Sequence, residues 1–359
     1  MDIEEKIKLV KEVGEEIISE DELRELFLKK KNPIAYDGFE PSGKIHIAQG
    51  LLRAINVNKL TRTGIKMRFW VADWFAMLNN KMGGDLEKIK IVGEYFVEVW
   101  KASGMDLKNV EFILTSDYIK EHPEYWETVL KLSQHATIQR VLRCGQIMGR
   151  EESTANPSSQ ILYPLMQAAD IHHLEADIAQ LGMDQRKVNM LARDIFPKIG
   201  LKAPIAVHHH MLMGLTEPKE TDKTGADAAI AKKMSKSNPD SAIFMTDTEE
   251  EIKNKFKKAY CPEGKVEDNP ILDYCKHIVF ERVDKFIIER PEKYGGNLEF
   301  TSYQDLEKKF KNKEIHPLDL KTATAKYINS FLEPVRQHFA KNKKAKQLLE
   351  KVNSYQVTK

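Results

Sequence analysis

The stretch that decides the fold is residues 34–50, IAYDGFEPSGKIHIAQG. It starts with apolar residues, passes through a turn and ends in a segment compatible with a helix, so it predicts a strand, a tight loop and a helix start. The turn contains Gly38, Pro41, Ser42 and Gly43. Such junctions hold phosphates in α/β proteins, because free backbone N–H groups and the positive end of the helix dipole converge there. Ser42, Lys44 and His46 add side-chain donors.

The same stretch lacks the two patterns that usually mark a nucleotide-binding loop. It has neither the GxGxxG of a dinucleotide site nor the GxxxxGK[ST] of a P-loop. A dinucleotide oxidoreductase is therefore disfavoured. The phosphate-binding interpretation needs support from a second stretch of the chain.

Composition bounds the class of protein. The 359 residues, 42% of them hydrophobic, can bury a sizeable core and predict two domains. Lys and Arg number 56 and Asp and Glu 54, so the net charge of +2 does not by itself demand a polyanionic partner. Three scattered cysteines match neither a disulfide framework nor a CxxC zinc site, which favours a reducing, cytoplasmic location. The N-terminus lacks a signal-peptide pattern and we find no long apolar run, so no membrane partner is predicted.

The first half of the chain alternates strand and helix patterns. Residues 1–31 are predicted to form a helical extension, in which Ser19 and Glu22 have the spacing of a capping box. The patterns that follow predict an α/β fold with a Rossmann-like, doubly wound parallel sheet and helices on both faces. Ligands bind beyond the carboxyl ends of such strands, where the 38–46 loop and Asp73 are expected.

A largely helical run over residues 117–156 interrupts this alternation. Inserted helices in a doubly wound sheet often form a dimer interface or cover the site. An ordinary surface hairpin is an equally good interpretation of the residues alone. The pattern leaves both interpretations open.

A helix predicted over residues 158–177 carries a polar stripe on an otherwise apolar surface. Tyr163, Gln167 and Asp170 are spaced i, i+4 and i+7 and therefore share one face. The stripe either faces solvent or is directed at a group that needs hydrogen bonds. We favour a pocket lining, because the opposite positions are a poor match for a large core face. Those positions are Leu162, Met166 and Ala169.

Two further groups of polar residues follow this helix. Gln185 lies at the next predicted strand-to-helix junction, again at the ligand edge of the sheet. His208, His209 and His210 come after the apolar stretch APIAV. Adjacent residues of an extended chain point to opposite sides, so these histidines are interpreted as a strand end rather than a zinc site. No protein-coordinated metal is predicted.

The second informative stretch is residues 232–244, KKMSKSNPDSAIF, which follows a loop-like segment rich in charge, Gly and Thr. Its lysines and serines can close cationic charge and hydroxyl donors over a phosphate chain. Considered alone, it is an ordinary solvated, lysine-rich loop.

The two stretches together resemble a known family. KMSKS at residues 233–237 matches a signature of class I aminoacyl-tRNA synthetases, and the HIAQ of residues 46–49 occupies the place of their HIGH signature. Other matching segments are VADWFAMLNN, YPLMQAADIHHL, GMDQRK, AYCPEG, RPEKYGGNL and HPLDLK. Most of the chain is similar to tyrosyl-tRNA synthetases of the archaeal and eukaryotic-cytosolic type. The resemblance implies activation of L-tyrosine by ATP to tyrosyl-adenylate and its transfer to the 3′ end of tRNA(Tyr).

The resemblance also implies how tyrosine is held. Tyr36 and Asp170 would bind the phenol of the substrate. Tyr163, Gln167 and Gln185 would bind its amino group. Three of these five residues form the polar stripe that the helical spacing had already singled out. Because the carboxylate of the substrate is itself the nucleophile, positioning and charge stabilisation suffice for the chemistry.

For ATP, the resemblance implies residues from both signatures. The catalytic residues would be His46, Gln49, Lys233 and Lys236. The ATP-binding residues would be Gly38, Ser42, Gly43, His46, Gln49, Met234, Ser235 and Lys236. The two lysines would neutralise the leaving pyrophosphate, with Mg²⁺ bound through the phosphates of ATP. In the HIGH signature, Ala48 stands in place of the glycine and Gln49 in place of the last histidine. The amide of Gln49 can donate a hydrogen bond but carries no charge.

The implied division of the chain has three parts. Residues 1–231 would form the N-terminal helices and catalytic domain, residues 232–246 the KMSKS loop, and residues 247–359 a helical anticodon-binding domain. The implied assembly is a homodimer.

In the C-terminal part, the resemblance implies three contacts with the anticodon. Tyr294 and His316 would stack on its first base, and Asp319 would hydrogen-bond to that base. Aromatic stacking and hydrogen bonds to base edges are the usual means of reading single-stranded RNA.

Two alternatives belong to other classes. A tryptophanyl-type synthetase shares the fold and both signatures. A non-catalytic, synthetase-derived RNA-binding protein is supported only by the degenerate HIAQ segment.

Overall fold

A six-stranded sheet forms the centre of the fold in the computed structural model, which describes residues 1–145, 157–218, 225–234 and 239–355. The spatial order of the strands is β1-β6-β5-β2-β3-β4. Their bounds are β1 Gly14–Ile18, β2 Ile34–Phe39, β3 Lys66–Val71, β4 Val110–Leu114, β5 Ile178–Gly182 and β6 Ile205–His209. Strands β2 to β6 run parallel, and β1 pairs antiparallel with β6. The predicted α/β class and doubly wound sheet are confirmed.

Helices pack around the sheet. Those that precede the KMSKS segment are α1 Ile3–Val13, α2 Glu20–Lys29, α3 Leu51–Arg62, α4 Asp73–Leu78, α5 Leu86–Ala102, α6 Thr115–Glu121, α7 Glu124–Gln134, α8 Ile138–Arg143, α9 Ser159–His173, α10 Arg186–Ile195 and α11 Gly225–Lys232. Alternate strand residues enter two separate buried clusters: Phe69 joins the cluster under α3 and α5, whereas Tyr36 and Trp70 join the cluster under α9 and α10. This alternation places Tyr36 and Trp70 on the same face of the sheet.

The strand order places a crevice at the middle of the sheet. From β2 the chain proceeds to β3 and β4 on one side, and it returns through β5 and β6 on the other. The order therefore reverses between β2 and β5, and ligands of open α/β sheets bind at the carboxyl ends of strands at such a point. Residues 40–49 follow β2 and residues 183–185 follow β5 at this edge.

The N-terminal extension is helical only in part. The prediction that residues 1–31 form helices alone is wrong, because Gly14–Ile18 is the edge strand β1. Its backbone groups pair with the edge of β6, with Ile17 opposite Val207, and this partner is invisible to local sequence patterns. Ser19 caps α2 at the predicted position, and its side chain accepts a hydrogen bond of 3.2 Å from the backbone N–H of Glu22.

The chain beyond residue 247 is mainly helical, as its patterns predict. Its helices are α12 Glu249–Lys258, α13 Pro270–Tyr274, α14 Tyr303–Lys311, α15 Pro317–Lys341 and α16 Lys343–Ser354. An antiparallel pair, β7 Phe286–Ile288 and β8 Leu298–Phe300, was not predicted. The ring of Phe339 on α15 lies 5.4 Å from that of Tyr95 on α5, so these helices continue the core of the sheet domain.

Two other findings concern single helices. Helix α11 forms within the segment that was predicted as a loop, because its sequence GADAAIAK is rich in alanine, the strongest helix former.

Within the described ranges, no helix combines the length and the apolar character that crossing a membrane requires.

The three consecutive histidines diverge, as expected for the end of a strand. His208 Nδ1 lies 2.8 Å from a carboxylate oxygen of Glu16. His209 Nδ1 lies 3.0 Å from Arg53 Nη1. His210 follows the last residue of β6 and faces a third direction, toward the C-terminal helices.

His210 joins the sheet domain to the helical region. Its Nδ1 lies 2.5 Å from Glu15 Oε1, and its Nε2 lies 2.8 Å from Asp273 Oδ1. The ring of His277 stacks on that of His210 with centroids 4.0 Å apart. Burial alone would lower the His210 pKa, but the Asp273 and Glu15 carboxylates outweigh it and raise the pKa to about 10. Protonated His210 therefore links two carboxylates across the junction.

This arrangement predicts a pH-dependent contribution to stability. The folded pKa of His210, about 10, lies above the value of roughly 6.5 for an unfolded histidine. The contribution is therefore complete below pH ~6.5 and is lost as the pH rises toward 10. We expect His210→Gln to destabilise the chain by on the order of 2 kcal/mol at pH 6, with the difference from wild type shrinking by pH 10.

Urea unfolding of both chains at several pH values measures this difference. His135→Gln, at an exposed position after α7, is the matched control and should show no such trend. A destabilisation by His210→Gln that is constant between pH 6 and pH 10 would contradict the assignment.

Candidate active site

The two signature stretches lie side by side. The backbone N–H of Ile47 donates to the carbonyl of Ile243, and that of Met245 donates to the carbonyl of Ile45, both at 2.9 Å. His46 and Phe244 form the bridge between them. The end of the second stretch is therefore held against the loop that follows β2.

The start of the second stretch is anchored beyond the carboxyl ends of β5 and β6. Lys233 pairs with Met213 in an isolated β-bridge, and the backbone N–H of the buried Met234 donates to the carbonyl of Leu212 at 2.9 Å. Lys233 Nζ lies 2.6 Å from Asp184 Oδ2, just beyond β5. The predicted residues Ser235 and Lys236 lie outside the described residues.

The loop after β2 contains a glycine in the left-handed region of backbone conformation. Gly43 adopts a φ of +111°, which disfavours any residue with a Cβ. Gly38 is the fifth residue of β2 and Ser42 lies in the loop. His46 is 8% exposed, and the chain then turns into α3 at Leu51.

Gln49 combines a fixed backbone with an amide oxygen that has no partner. Its carbonyl accepts a hydrogen bond of 2.9 Å from the indole N–H of Trp100. Its side-chain Oε1 is buried and has no hydrogen-bond partner among the described residues. An unpaired buried amide oxygen is costly, so its position is consistent with a site for a donor on a ligand.

The polar stripe on α9 is buried rather than solvated. Tyr163, Gln167 and Asp170 are 6%, 7% and 1% exposed. The prediction of a pocket lining agrees with this burial, but part of its reasoning was wrong. Met166 and Ala169 on the other side are also buried in the core, and only Leu162 is exposed.

Asp170 lies at the centre of the buried cluster. The Tyr125 hydroxyl is 2.7 Å from its Oδ1. Burial raises the Asp170 pKa well above its usual range, and the hydrogen bond from Tyr125, followed by the influence of the Trp70 indole, opposes this rise.

The Asp170 carboxylate disfavours ionisation of the buried Tyr36 hydroxyl. Burial, followed by the Asp170 and Asp37 carboxylates, raises the Tyr36 pKa well above its usual value, while the Gln167 side chain opposes the rise. The fully buried Tyr36 hydroxyl makes no hydrogen bond of standard geometry within the described residues.

The other side of the cluster contains two hydrogen-bonded pairs of side chains. Gln167 Nε2 donates to Gln185 Oε1 at 3.0 Å, which links α9 to the end of β5. The Tyr163 hydroxyl donates to Glu40 Oε1 at 2.5 Å. All five residues predicted to bind tyrosine thus belong to one continuous region between β2, α9 and β5.

Asp73 lies at the predicted sheet edge, but its side chain forms hydrogen bonds with the protein backbone. It is fully buried, and its Oδ1 accepts hydrogen bonds of 2.9 Å from the backbone N–H groups of Trp74 and Ser116. It ties the end of β3 to that of β4.

Comparison with known proteins agrees with this geometry. A family model described as tRNA synthetases class I (W and Y) matches residues 28–333. Tyrosine–tRNA ligase 2, cytoplasmic, of Arabidopsis thaliana is 52% identical over 356 residues, which cover 99% of this chain and 46% of the relative. Its cytoplasmic ligase 1 is 50% identical over 360 residues, which cover 100% of this chain and 90% of the relative.

A solved structure agrees over the full length. The tyrosyl-tRNA synthetase of Pyrococcus horikoshii complexed with L-tyrosine superposes with a TM-score of 0.90 at 38% identity, over 98% of this chain and 100% of the other. The chain belongs to the class I tyrosyl-tRNA synthetases. It spans about half of the length of the first Arabidopsis relative and nearly all of the others. A tryptophanyl-type enzyme is not favoured.

The residues predicted for the anticodon lie far along the chain, on two neighbouring turns of this synthetase. Tyr294 is 63% exposed in the turn between β7 and β8. His316 caps α15, its Nδ1 accepting a hydrogen bond of 3.2 Å from the Leu318 N–H. Asp319 lies in the first turn of that helix. These positions permit contact with RNA, and their role stays a prediction.

Arg290 connects the two turns. Its Nη1 donates to the carbonyl of Glu314 at 3.3 Å, and its Nε donates to the carbonyl of Gly296 at 3.0 Å. Tyr294 and His316 are thus brought to the same end of the helical region.

Sequence reasoning missed several residues that hold the site together. Glu40 and Asp184 are adjacent in sequence to residues that were singled out, so their position beside the motifs was an available signal. Trp70 and Tyr125 carry no motif, and only the packing of β3 and α7 against α9 brings them to Asp170.

Proposed function

We propose that this synthetase activates L-tyrosine with ATP and transfers it to the 3′ end of tRNA(Tyr). The observation that carries the proposal is the buried cluster in which the Tyr36 hydroxyl, with no hydrogen bond of standard geometry among the described residues, lies beside the α9 stripe that contains Asp170. A phenol both donates and accepts a hydrogen bond, so it can satisfy a carboxylate and a second hydroxyl at once. Phenylalanine would leave these buried groups without a partner.

The amino group of the substrate is assigned to the other half of the cluster. Tyr163, Gln167 and Gln185 offer oxygen acceptors from two hydrogen-bonded pairs, Tyr163 with Glu40 and Gln167 with Gln185. The Glu40 carboxylate behind Tyr163 favours a positive charge nearby. An ammonium group with three donors matches this set.

The first chemical step is a displacement at phosphorus. A carboxylate oxygen of tyrosine forms a bond to the α-phosphorus of ATP, and the bond from that phosphorus to the bridging oxygen breaks to release pyrophosphate. In the second step a ribose hydroxyl of the tRNA attacks the carbonyl carbon of the adenylate, its proton is lost, and AMP leaves. The protein supplies positioning and charge stabilisation in both steps.

The two signatures are assigned to ATP. Gly38 lies near the end of β2, and Ser42, Gly43, His46 and Gln49 lie in the segment that follows it. Lys233 and Met234 open the KMSKS segment beside them. We assign Ser235 and Lys236 to the same phosphates by resemblance. The donors here are cationic or neutral and suit phosphate oxygens, so Mg²⁺ would be held by the phosphates of ATP.

The remaining assignments concern the wider molecule. Residues 1–231, 232–246 and 247–359 are proposed as catalytic domain, KMSKS loop and anticodon-binding domain, with Tyr294, His316 and Asp319 contacting the anticodon. Exposed apolar side chains on the inserted helices and on the neighbouring α9 support a homodimer, in a cytoplasmic setting like that of the Arabidopsis relatives. These side chains are Trp126, Leu130, Ile138 and Leu162.

Amino-acid-dependent exchange of pyrophosphate into ATP tests the function. Tyrosine is expected to support exchange, and phenylalanine and tryptophan at equal concentration are expected to support far less. Preference for tryptophan would identify the tryptophanyl-type alternative. Failure of all three amino acids would identify a non-catalytic relative.

Lys233→Ala is expected to slow adenylate formation by about 10²-fold, because it removes a charge-stabilising donor from the leaving pyrophosphate. The affinity for tyrosine should change little, since Lys233 contacts Asp184 rather than the tyrosine cluster. Single-turnover adenylate formation and tyrosine binding measured separately distinguish the two effects. Lys253→Ala, in an exposed ion pair on α12, is the matched control. An unchanged rate in Lys233→Ala would contradict the role.

A further inference from the structure

The hydroxyl of Tyr125 has an unusual position beneath Asp170. Tyr125 lies on α7, outside the tyrosine-binding set assigned above, and its side chain is completely buried. Its oxygen is 2.7 Å from Asp170 Oδ1 and 2.8 Å from the backbone carbonyl oxygen of Met166, one helical turn earlier on α9. One hydroxyl proton cannot be donated fully to both acceptors.

The surroundings of Asp170 make this contact important. A buried carboxyl has two oxygens, and each needs a donor. Tyr125 occupies Oδ1 from α7, while the Trp70 indole of β3 acts on the same carboxyl. If Oδ1 had no fixed donor, the carboxyl could rotate about χ2 and its acceptor direction toward the substrate would not be defined.

We propose that Tyr125 is a positioning residue for substrate specificity, whose hydroxyl binds one oxygen of Asp170 and directs the other toward the phenol of tyrosine. The inference rests on the proposed role of Asp170 as the acceptor of that phenol. Tyr125 itself acts through Asp170. Its ring packs between Trp126 and His173, with centroid distances of 5.8 and 5.0 Å, so the hydroxyl is held rigidly.

Electrostatics gives a readout that distinguishes positioning from packing. The hydrogen bond from Tyr125 opposes the burial-induced rise of the Asp170 pKa, so removing the hydroxyl raises that pKa further. Among the described residues, the groups whose pKa the Asp170 carboxylate raises are tyrosines. They are Tyr36 on β2, Tyr118 on α6, Tyr125 on α7 and Tyr163 on α9 itself.

Tyr125→Phe, measured by pyrophosphate exchange in the full-length chain, tests the proposal. The ratio of kcat/KM for tyrosine to that for phenylalanine is expected to fall about tenfold, the effect of losing one hydrogen bond to a carboxylate. The acidic limb of kcat/KM for tyrosine should move to higher pH. The KM for ATP and the exchange with phenylalanine should stay near their wild-type values.

Tyr118→Phe is the matched control. Its hydroxyl also reaches α9, where it donates to the carbonyl of His173 at 2.8 Å, but it makes no hydrogen bond to Asp170. We expect this variant to keep the wild-type ratio of kcat/KM for tyrosine to that for phenylalanine. The acidic limb of its pH profile should also stay at the wild-type position.

Several outcomes overturn the proposal. One is a Tyr125→Phe variant that keeps both the tyrosine-to-phenylalanine ratio of kcat/KM and the position of the acidic limb of the pH profile. Another is a Tyr118→Phe variant in which these two quantities change as much as they do in Tyr125→Phe. A parallel loss of exchange with phenylalanine and tyrosine would assign Tyr125 a purely structural role. Exchange that depends on no amino acid in wild type would reject the proposed function as well, whereas normal wild-type exchange with an unaffected Tyr125→Phe rejects only this inference.

Discussion

Replacing Asp170 with alanine is expected to lower kcat/KM for tyrosine by roughly 10²- to 10³-fold in the exchange reaction. The substitution removes the acceptor for the substrate phenol. It also leaves the Tyr125 hydroxyl without its carboxylate partner in a region where Asp170 is only 1% exposed. A hydrogen bond to a charged group contributes about 1.5–3 kcal/mol, and leaving the phenol of the bound substrate as a buried, unpaired donor adds about 1–3 kcal/mol. The Tyr125 hydroxyl keeps the carbonyl of Met166 as an acceptor.

The KM of the same variant for ATP should stay within about twofold of the wild-type value, because ATP is assigned to the loop after β2 and to the KMSKS segment. Exchange with phenylalanine is the internal control, since that substrate makes no hydrogen bond to Asp170. Asp170→Asn, which keeps the shape and one acceptor oxygen, should lose less than the alanine variant. Equal losses of ATP and tyrosine affinity in Asp170→Ala would reject the assigned role.

Replacing Arg53 with methionine is expected to destabilise the fold by about 3 kcal/mol or more at pH 7. Arg53 on α3 is 1% exposed, and its Nε lies 3.1 Å from Asp37 Oδ2 on β2. Its guanidinium also donates to the side chain of Gln180 on β5 and lies 3.0 Å from Nδ1 of His209 on β6. This one side chain therefore connects three neighbouring strands beneath the ligand edge.

The cost arises mainly from the carboxylate that is left behind. Burial, opposed by Arg53, raises the Asp37 pKa to about 7, so Asp37 without its partner would take up a proton or remain as a buried charge. Urea unfolding measures the effect. The double variant Arg53→Met with Asp37→Asn should recover part of the loss, because it removes both charges.

A surface ion pair provides the matched comparison. Lys253 and Glu249 form an i, i+4 pair on α12 with side chains 68% and 57% exposed. Lys253→Met should change the stability by less than about 0.5 kcal/mol. Equal effects of Arg53→Met and Lys253→Met would show that burial does not decide the value of the Asp37–Arg53 pair.

Local patterns were sufficient for most of the sheet domain. The strands at Ile34–Phe39, Lys66–Val71 and Val110–Leu114 and the helices between them have apolar spacing that few other conformations can bury. The edge strand β1 was missed because five residues, GEEII, form a strand only when β6 supplies a partner. The hairpin of β7 and β8 depends in the same way on pairing between two three-residue segments.

The candidate site shows the same division. Spacing alone placed Tyr163, Gln167 and Asp170 on one helical face, and the structure buries all three. Spacing did not reveal that Met166 and Ala169 are buried as well, since a helix enclosed on several sides has no apolar stripe to distinguish. Glu40, Trp70 and Tyr125 reach the cluster from a loop, a strand and a helix that are far apart in sequence.

By itself, the sequence determined the alternation of strands and helices, the two signature segments and the residue types that suit a phenol and a phosphate chain. These properties depend on side-chain chemistry and on separations of a few residues, which the chain states directly. Only the tertiary structure decided that residues 45–47 pair with residues 243–245, that Lys233 reaches Asp184 and that Tyr125 binds Asp170. Those contacts join positions that are 45 or more residues apart, so they exist only once the sheet has brought its carboxyl ends together.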